Sequence, residues 1–306
     1  MKSAEGGPSS QVVLDLGTGP FALFAIVAAK AGAKKVYAIE ASSEAAKSAR
    51  ETIKKLGYSD KIEVLEGFST DITLPEKADF AVAEIVGSVC SEEGAYATIL
   101  DAHKRLLKNP TDEKNWIPSR IQTYGAPASY TLHHLFRPPG FDWNKLEGEP
   151  VRFNCRDEGL QLLSDPVVVE DISFANIETD TLQKKKQATF TVDEKRIEEN
   201  NIKFLEEMKR GRVVDAEGNA QTAANSVTGI ALWPRLLLSG DVEINSRHYP
   251  DGGHQKSHWQ TVLPIMSTEP VAVKGGDKID VSFDFNVGQE VTKPSTYKIT
   301  GNVVSV

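Results

Sequence analysis

The sequence predicts a two-part α/β chain: a parallel sheet with helices on both faces, followed by an antiparallel β-barrel. Three observations carry that expectation. Short apolar runs alternate with helical stretches up to about residue 117. From Ile117-Pro118 onward, strand-like runs follow one another, separated by turn residues. A chain of 306 residues is also long for one core and comfortable for two.

In order along the first part, Gln11–Leu16 reads as a buried strand and Phe21–Ala31 as a helix rich in Ala and large apolar residues. Lys35–Glu40 is the next strand. Ser43–Leu56 is a helix that opens on Ser and has Gly57 just past its end. Lys61–Glu66 and Ala78–Glu84 are strands, and Glu92–Lys108 is a helix closing at Asn109-Pro110. In the second part, Val167–Ile172, Gln187–Val192, Gly229–Leu238, Pro270–Val273 and Lys278–Phe285 read as strands. Two segments interrupt them. His133–Leu163, with Pro138-Pro139-Gly140-Phe141-Asp142-Trp143, reads as irregular. Asp193–Arg212 reads as a charged helix whose partial apolar face is Ile197, Phe204 and Met208. The boundaries are placed at 1–117 and 118–306, with a charged insertion over 193–224.

Composition excludes several classes. No apolar run approaches the roughly 18–20 residues that span a bilayer, and Met1–Pro8 lacks the apolar core of a signal peptide. A net charge of −8 argues against direct nucleic-acid binding, which relies on Lys and Arg neutralising phosphates, and suits a basic partner. Cys90 and Cys155 form neither a disulfide framework nor a metal-ligand spacing, so no metal is expected and the cytoplasm or nucleus is the expected compartment.

Val12-Val13-Leu14-Asp15-Leu16-Gly17-Thr18-Gly19 runs from strand into a glycine turn that opens a helix. Gly17 and Gly19 allow a sharp turn and close approach of a ligand. Twenty-one residues after Gly19, the second strand ends in Glu40, where a carboxylate accepts hydrogen bonds from ribose hydroxyls. A dinucleotide and S-adenosylmethionine both fit that pattern. Asp15 favours the second, because an acid before the first glycine suits a ligand amino group and repels a pyrophosphate. Asp-x-Gly-x-Gly followed by Glu40 resembles the class I methyltransferases, with Ala22 in place of a third glycine.

Glu84 closes an apolar strand at the sheet edge where such folds bind substrates, and Glu93 follows nine positions later. Seven carboxylates against one lysine lie between Leu65 and Glu93, which draws a cation toward this edge. At this spacing the pair resembles the double-glutamate loop of the protein arginine methyltransferases. Two carboxylates grip a planar guanidinium by charge-assisted bonds and leave its third nitrogen richer for attack. Ser257-His258-Trp259 is similar to that family's Thr-His-Trp loop, which implies that His258 and Trp259 wall the arginine pocket. The imidazole is also a candidate proton relay. His133, His134, His248 and His254 lack such a context and are read as surface or packing residues.

The resemblance covers nearly the whole chain. It implies a Rossmann-like domain over 1–117 that binds S-adenosylmethionine through Asp15, Gly17, Gly19, Glu40, Ala41, Phe68 and Ser69, and leaves S-adenosylhomocysteine. It implies a β-barrel substrate domain over 118–306, entered through Ile117-Pro118-Ser119-Arg120. It further implies a dimerisation arm over 133–163, hence a homodimer acting on arginine-containing proteins. There are departures. The family's N-terminal lid helices have no counterpart among the eleven residues before Val12. Ile85 and Val86 stand where many members have Trp and Met, and the 193–224 segment has no family match. A scaffold that keeps the fold without turnover, and a methyltransferase for small molecules, are the alternatives.

Overall fold

A computed structural model describes residues 10–130, 150–154, 159–177, 183–209, 223–247, 257–264, 271–288, 290–293 and 295–305. The first half holds a parallel sheet of β1 (Val12–Leu16), β2 (Lys35–Glu40), β3 (Ile62–Glu66), β4 (Phe80–Ala83) and β5 (Trp116–Ile117). Their order is β3-β2-β1-β4-β5, so the chain reverses its direction of travel between β1 and β4. In open α/β sheets, ligands bind at the carboxyl ends of the strands flanking such a reversal. All five residues of β1 are buried, as a central strand covered on both faces requires.

α1 (Leu23–Lys30) lays Ala25, Ile26, Ala28 and Ala29 on the sheet and leaves Leu23, Phe24 and Val27 exposed, beside the exposed Phe21. It starts two residues later than the apolar pattern predicts, because Ala22 turns through the left-handed region at φ 45°. α2 (Ser43–Lys55) is capped by the Ser42 hydroxyl, which accepts from the Ala45 N–H at 3.3 Å. The predicted helix over 92–108 is corrected. α3 (Ala95–Asp101) begins only after Gly94, whose φ of 73° breaks the chain direction, and it ends in a π-helical turn over Ala102–Leu106. Glu92 and Glu93 therefore stand in a turn rather than on a helix. β4 likewise stops at Ala83, leaving Glu84 on the loop beyond.

The second half is antiparallel. A sheet of β6 (Arg120–Tyr130), β7 (Val151–Asn154), β8 (Leu160–Leu162), β12 (Gly229–Ser239) and β14 (Gln260–Leu263) runs in the order β7-β14-β12-β6-β8. β9 (Val167–Ser173) pairs with β6, and β13 (Val242–Asn245) pairs with β12. β10 (Gln183–Thr191), β16 (Lys278–Asn286) and β17 (Thr296–Val304) form a second sheet, and β11 (Ser226–Val227) pairs with β15 (Val271–Ala272). Two strands, β7 and β8, fall inside the 133–163 segment read as irregular. Their pairing to β14 and β6, distant in sequence, supplies order that local composition lacks. The rest of that segment, 133–149 and 155–158, lies outside the described residues, as do His133, His134, His248, His254 and Cys155.

α4 (Glu194–Lys209) occupies the charged segment, with Ile197 and Phe204 buried as predicted; the Met208 side chain is not among those the structure describes. One apolar cluster crosses between the halves, joining Leu14, Tyr37 and Trp116 to Ile121, Ile172, Phe174, Leu236 and Trp259. No helix among the described residues is long and apolar enough to cross a membrane, and no His, Cys, Asp and Glu group among them has the form of a metal site.

Candidate active site

β1 carries Asp15 to the middle of the sheet, paired to Ala38 of β2 on one side and Val82 of β4 on the other. Its side chain is fully buried. One oxygen, Oδ2, accepts from the Thr18 hydroxyl at 2.6 Å and from the Ala25 N–H at 2.9 Å. The other, Oδ1, is buried without a hydrogen-bond partner. Burial outweighs those bonds and pushes the carboxyl up from an ordinary 3.8 to about 6. A buried acid oxygen with unused lone pairs lacks a donor, and the ammonium of a ligand at this edge would fit that need.

The turn beyond Asp15 is held by Gly17 and Thr18 N–H groups, both donating to the Ile39 carbonyl at 3.1 Å. A Cβ on Gly17 would lie 2.6 Å from the Glu84 carbonyl oxygen, so only glycine lets the turn and the substrate-side loop meet. Gly19, at φ 65°, faces open space instead. Glu40 accepts from the Gly19 N–H at 2.8 Å and from the Ser42 N–H at 2.9 Å, one bond to each oxygen. Each oxygen keeps a second lone pair for a ribose hydroxyl. Gly67 donates to the Glu40 carbonyl at 2.9 Å, which ties the segment carrying the exposed Phe68 and the buried Ser69 to the end of β2, where Ala41 is exposed. The predicted cofactor residues thus share the carboxyl-end edge of the sheet, and their unused acceptor lone pairs and the open space at Gly19 suit an amino-acid and nucleoside ligand.

Sequence reading missed the clamp beneath that edge. Arg105 donates to the carbonyls of Ser69, Thr70 and Ile72 at 3.0–3.2 Å while Asp101 holds it from below. An arginine on a helix gives no sign of this from its neighbours.

Glu84 is 37% exposed, and its Oε1 lies 3.6 Å from Nε2 of His258. Burial raises its proton affinity, His258 lowers it, and the nearby charge of Glu93 raises it again. The two glutamates therefore feel each other across the loop, with Glu93 exposed. The imidazole of His258 sits over Trp259 with ring centroids 4.3 Å apart. Trp259, 8% exposed, donates its indole N–H to the Val86 carbonyl at 2.6 Å. The next residue, Gln260, donates its N–H to the Ser88 hydroxyl at 3.0 Å. The barrel thus holds the loop that carries Glu84 and brings Glu84, His258 and Trp259 together, while Glu93 stands exposed farther along the same loop and reaches Glu84 through its charge.

Glu92 behaves differently from its neighbour. It accepts the Val89 N–H at 3.2 Å and is gripped by the guanidinium of Arg152, which lies in the stretch that local composition marks as irregular. Deeper still, Cys90 donates its N–H to Thr123 at 3.0 Å, and Thr123 donates to the buried Glu170 at 2.8 Å. Cys90 is fully buried and its thiol is pushed well up, which makes it an inert packing residue rather than a nucleophile.

Comparison with known proteins bears on both halves. Residues 6–99 match the family of ribosomal protein L11 methyltransferase, PrmA. Across the chain, protein arginine N-methyltransferase PRMT10 of Oryza sativa subsp. japonica is 38% identical over 297 residues, 89% of this chain and 72% of the relative. PRMT10 of Arabidopsis thaliana is 28% identical over 295 residues, 89% of this chain and 71% of the relative. Among solved structures, an open conformation of Arabidopsis thaliana protein arginine methyltransferase 10 superposes with a TM-score of 0.66 at 19% identity. It covers 97% of this chain and 90% of that one. The Trypanosoma brucei PRMT1 enzyme–prozyme heterotetramer with AdoHcy gives 0.66 at 18%, covering 95% and 88%. Those two likenesses speak to the fold, and the rice relative to the family. The chain belongs to the protein arginine N-methyltransferases, enzymes that use S-adenosylmethionine to methylate arginine side chains of proteins.

Proposed function

We propose that Glu84 and Glu93 clamp the substrate guanidinium, with His258 and Trp259 as the wall of the pocket, and that Asp15, Gly17, Gly19, Glu40, Ala41, Phe68 and Ser69 hold the methyl donor. S-adenosylmethionine supplies an electrophilic methyl group bound to sulfonium sulfur. Asp15 would hold its ammonium and Glu40 its ribose, with Phe68 and Ser69 toward its adenine. The observation that carries this reading is the contact of Gly17 with the Glu84 carbonyl, which binds the donor turn to the acceptor loop without an intervening layer.

Two carboxylates draw the guanidinium charge toward the nitrogens they bond, leaving the remaining nitrogen as the nucleophile. With the donor bound, its methyl group would leave sulfur for that nitrogen, and the methylated nitrogen would then have a proton to shed. Glu84, whose proton affinity is already raised, and His258 beside it are placed to accept it. Orientation and fixed charge supply the acceleration.

The test is Glu84→Gln with a labelled donor and an Arg-Gly peptide. We expect kcat to fall by about 100-fold or more, with S-adenosylhomocysteine affinity by calorimetry nearly unchanged. Full activity in this variant would overturn the assignment.

A homodimer is the proposed assembly, with 133–163 as its arm. The oligomeric Trypanosoma neighbour supports association within this fold. The exposed apolar Phe21, Leu23, Phe24 and Val27 support a protein contact on the first half. Sedimentation equilibrium reads the state directly. The free, buried Cys90 supports action in the reducing cytoplasm or nucleus.

A further inference from the structure

We propose that Arg152 is a positioning residue for methyl transfer: it holds Glu92, so that of the adjacent glutamates only Glu93 is presented to the substrate opposite Glu84. The inference rests on the clamp described above. Three carboxylates, Glu84, Glu92 and Glu93, share one short loop, whereas a guanidinium needs two partners. The loop treats the last two unequally. Glu92 turns back over its own loop, where a Cβ on Gly87 would lie 2.6 Å from the Glu92 Cβ, and its Oε2 accepts the Val89 N–H at 3.2 Å. Arg152 closes on both Glu92 oxygens, Nη1 at 3.4 Å from Oε2 and Nη2 on Oε1. Glu93 is exposed and acts on Glu84 through its charge.

Arg152 reaches this place by strand pairing. β7 sets it opposite Val262 of β14, and β14 begins at Gln260, which itself anchors the loop through Ser88. The same strand pair therefore delivers His258, Trp259 and Arg152 to one loop. The planar fork of arginine fits a carboxylate edge-on, which fixes orientation as well as charge. Without it, Glu92 regains a free carboxylate beside Glu93. An incoming guanidinium then settles between those neighbours, bound but turned from Glu84. Such a complex keeps affinity and loses rate, since only interactions made in the transition state accelerate the reaction.

The experiment measures steady-state kinetics on an Arg-Gly peptide for Arg152→Met, Arg152→Lys, Arg152→Met with Glu92→Gln, and Glu84→Gln, each with its melting temperature and S-adenosylhomocysteine affinity. In Arg152→Met we expect kcat to fall about 10- to 100-fold while the peptide KM does not rise. Lysine, which keeps the charge without the fork, should recover part of kcat. So should Glu92→Gln, by removing the competing charge. The pair is partly solvent-exposed, so the fold itself should be little affected. An unchanged kcat, a KM that rises alone, or donor affinity lost in step with activity would each overturn the proposal. If Glu84→Gln is inactive and Arg152→Met is normal, only the role of Arg152 fails. If Glu84→Gln is active, the clamp itself fails.

Discussion

At the scale of single residues, Asp15 is the most constrained group in the site. Two donors hold one of its oxygens, its other oxygen is orphaned, and burial has raised its pKa to about 6. The folded chain binds this proton more tightly than an unfolded chain with an ordinary 3.8, so the free protein loses stability as pH rises from about 4 through 6. Ligand binding runs the other way. An ammonium group prefers the ionised carboxylate, so donor affinity should climb as pH rises toward 6 and level off above it. Calorimetry with S-adenosylhomocysteine between pH 5 and 8 should give affinities that fall by up to about tenfold per unit on the acid side. Asp15→Asn should abolish the slope and weaken binding at neutral pH. A flat profile for the unaltered protein would remove Asp15 from the amino-group site.

At the scale of elements, the decisive piece is the loop from Glu84 to Gly94, which has no regular structure and is held almost wholly by the barrel. Trp259 fixes Val86, Gln260 fixes Ser88, Thr123 fixes Cys90, and Ser295 donates to the Ser91 carbonyl at 2.9 Å. Trp259→Phe keeps most of the packing but strands the Val86 carbonyl. We expect about 1–3 kcal/mol lost from stability by thermal melts, and a loss of kcat larger than that destabilisation explains at the assay temperature. Activity that merely tracked the folded fraction would reduce Trp259 to a core residue. Such anchors show why the sequence can be read unevenly. Asp15, Gly17 and Glu40 were legible because their partners lie within one strand–turn–helix–strand unit, at a spacing set by geometry. Arg152 was not, because its partner lies 60 residues away and only strand pairing brings them together. Among the strands, β6 escaped notice although it is central to the barrel. Gly125 and Pro127 depress its strand character. Yet Pro127 falls between the stretch paired to β9, which ends at Gly125, and the stretch paired to β8, which starts at Ala128, so its missing N–H breaks no ladder there.

At the scale of the whole molecule, the change of texture near residue 117 marks a change of architecture without a break in the core. Trp116, on the last parallel strand, meets Phe174 of the second half edge-on at 5.5 Å, and His103 stacks on it at 6.0 Å. His103 also bonds the Ala175 carbonyl at 3.1 Å, and the Phe174 N–H donates to Ser119 at 2.9 Å. A seam of buried aromatic and backbone contacts of this kind couples the halves, so the donor turn and the acceptor loop are registered by the same packing. Two consequences follow for unfolding. The protein should melt in one calorimetric transition, and S-adenosylhomocysteine, although bound by the first half, should raise the melting of barrel and sheet together. Phe174→Ala, which lies in neither ligand site, should cost about 3–5 kcal/mol and lower that single transition without splitting it. Two transitions, with the ligand shifting only one, would mean that each half folds on its own and that the seam merely touches. The register between the two glutamates and the glycine turn would then have to come from the loop anchors alone.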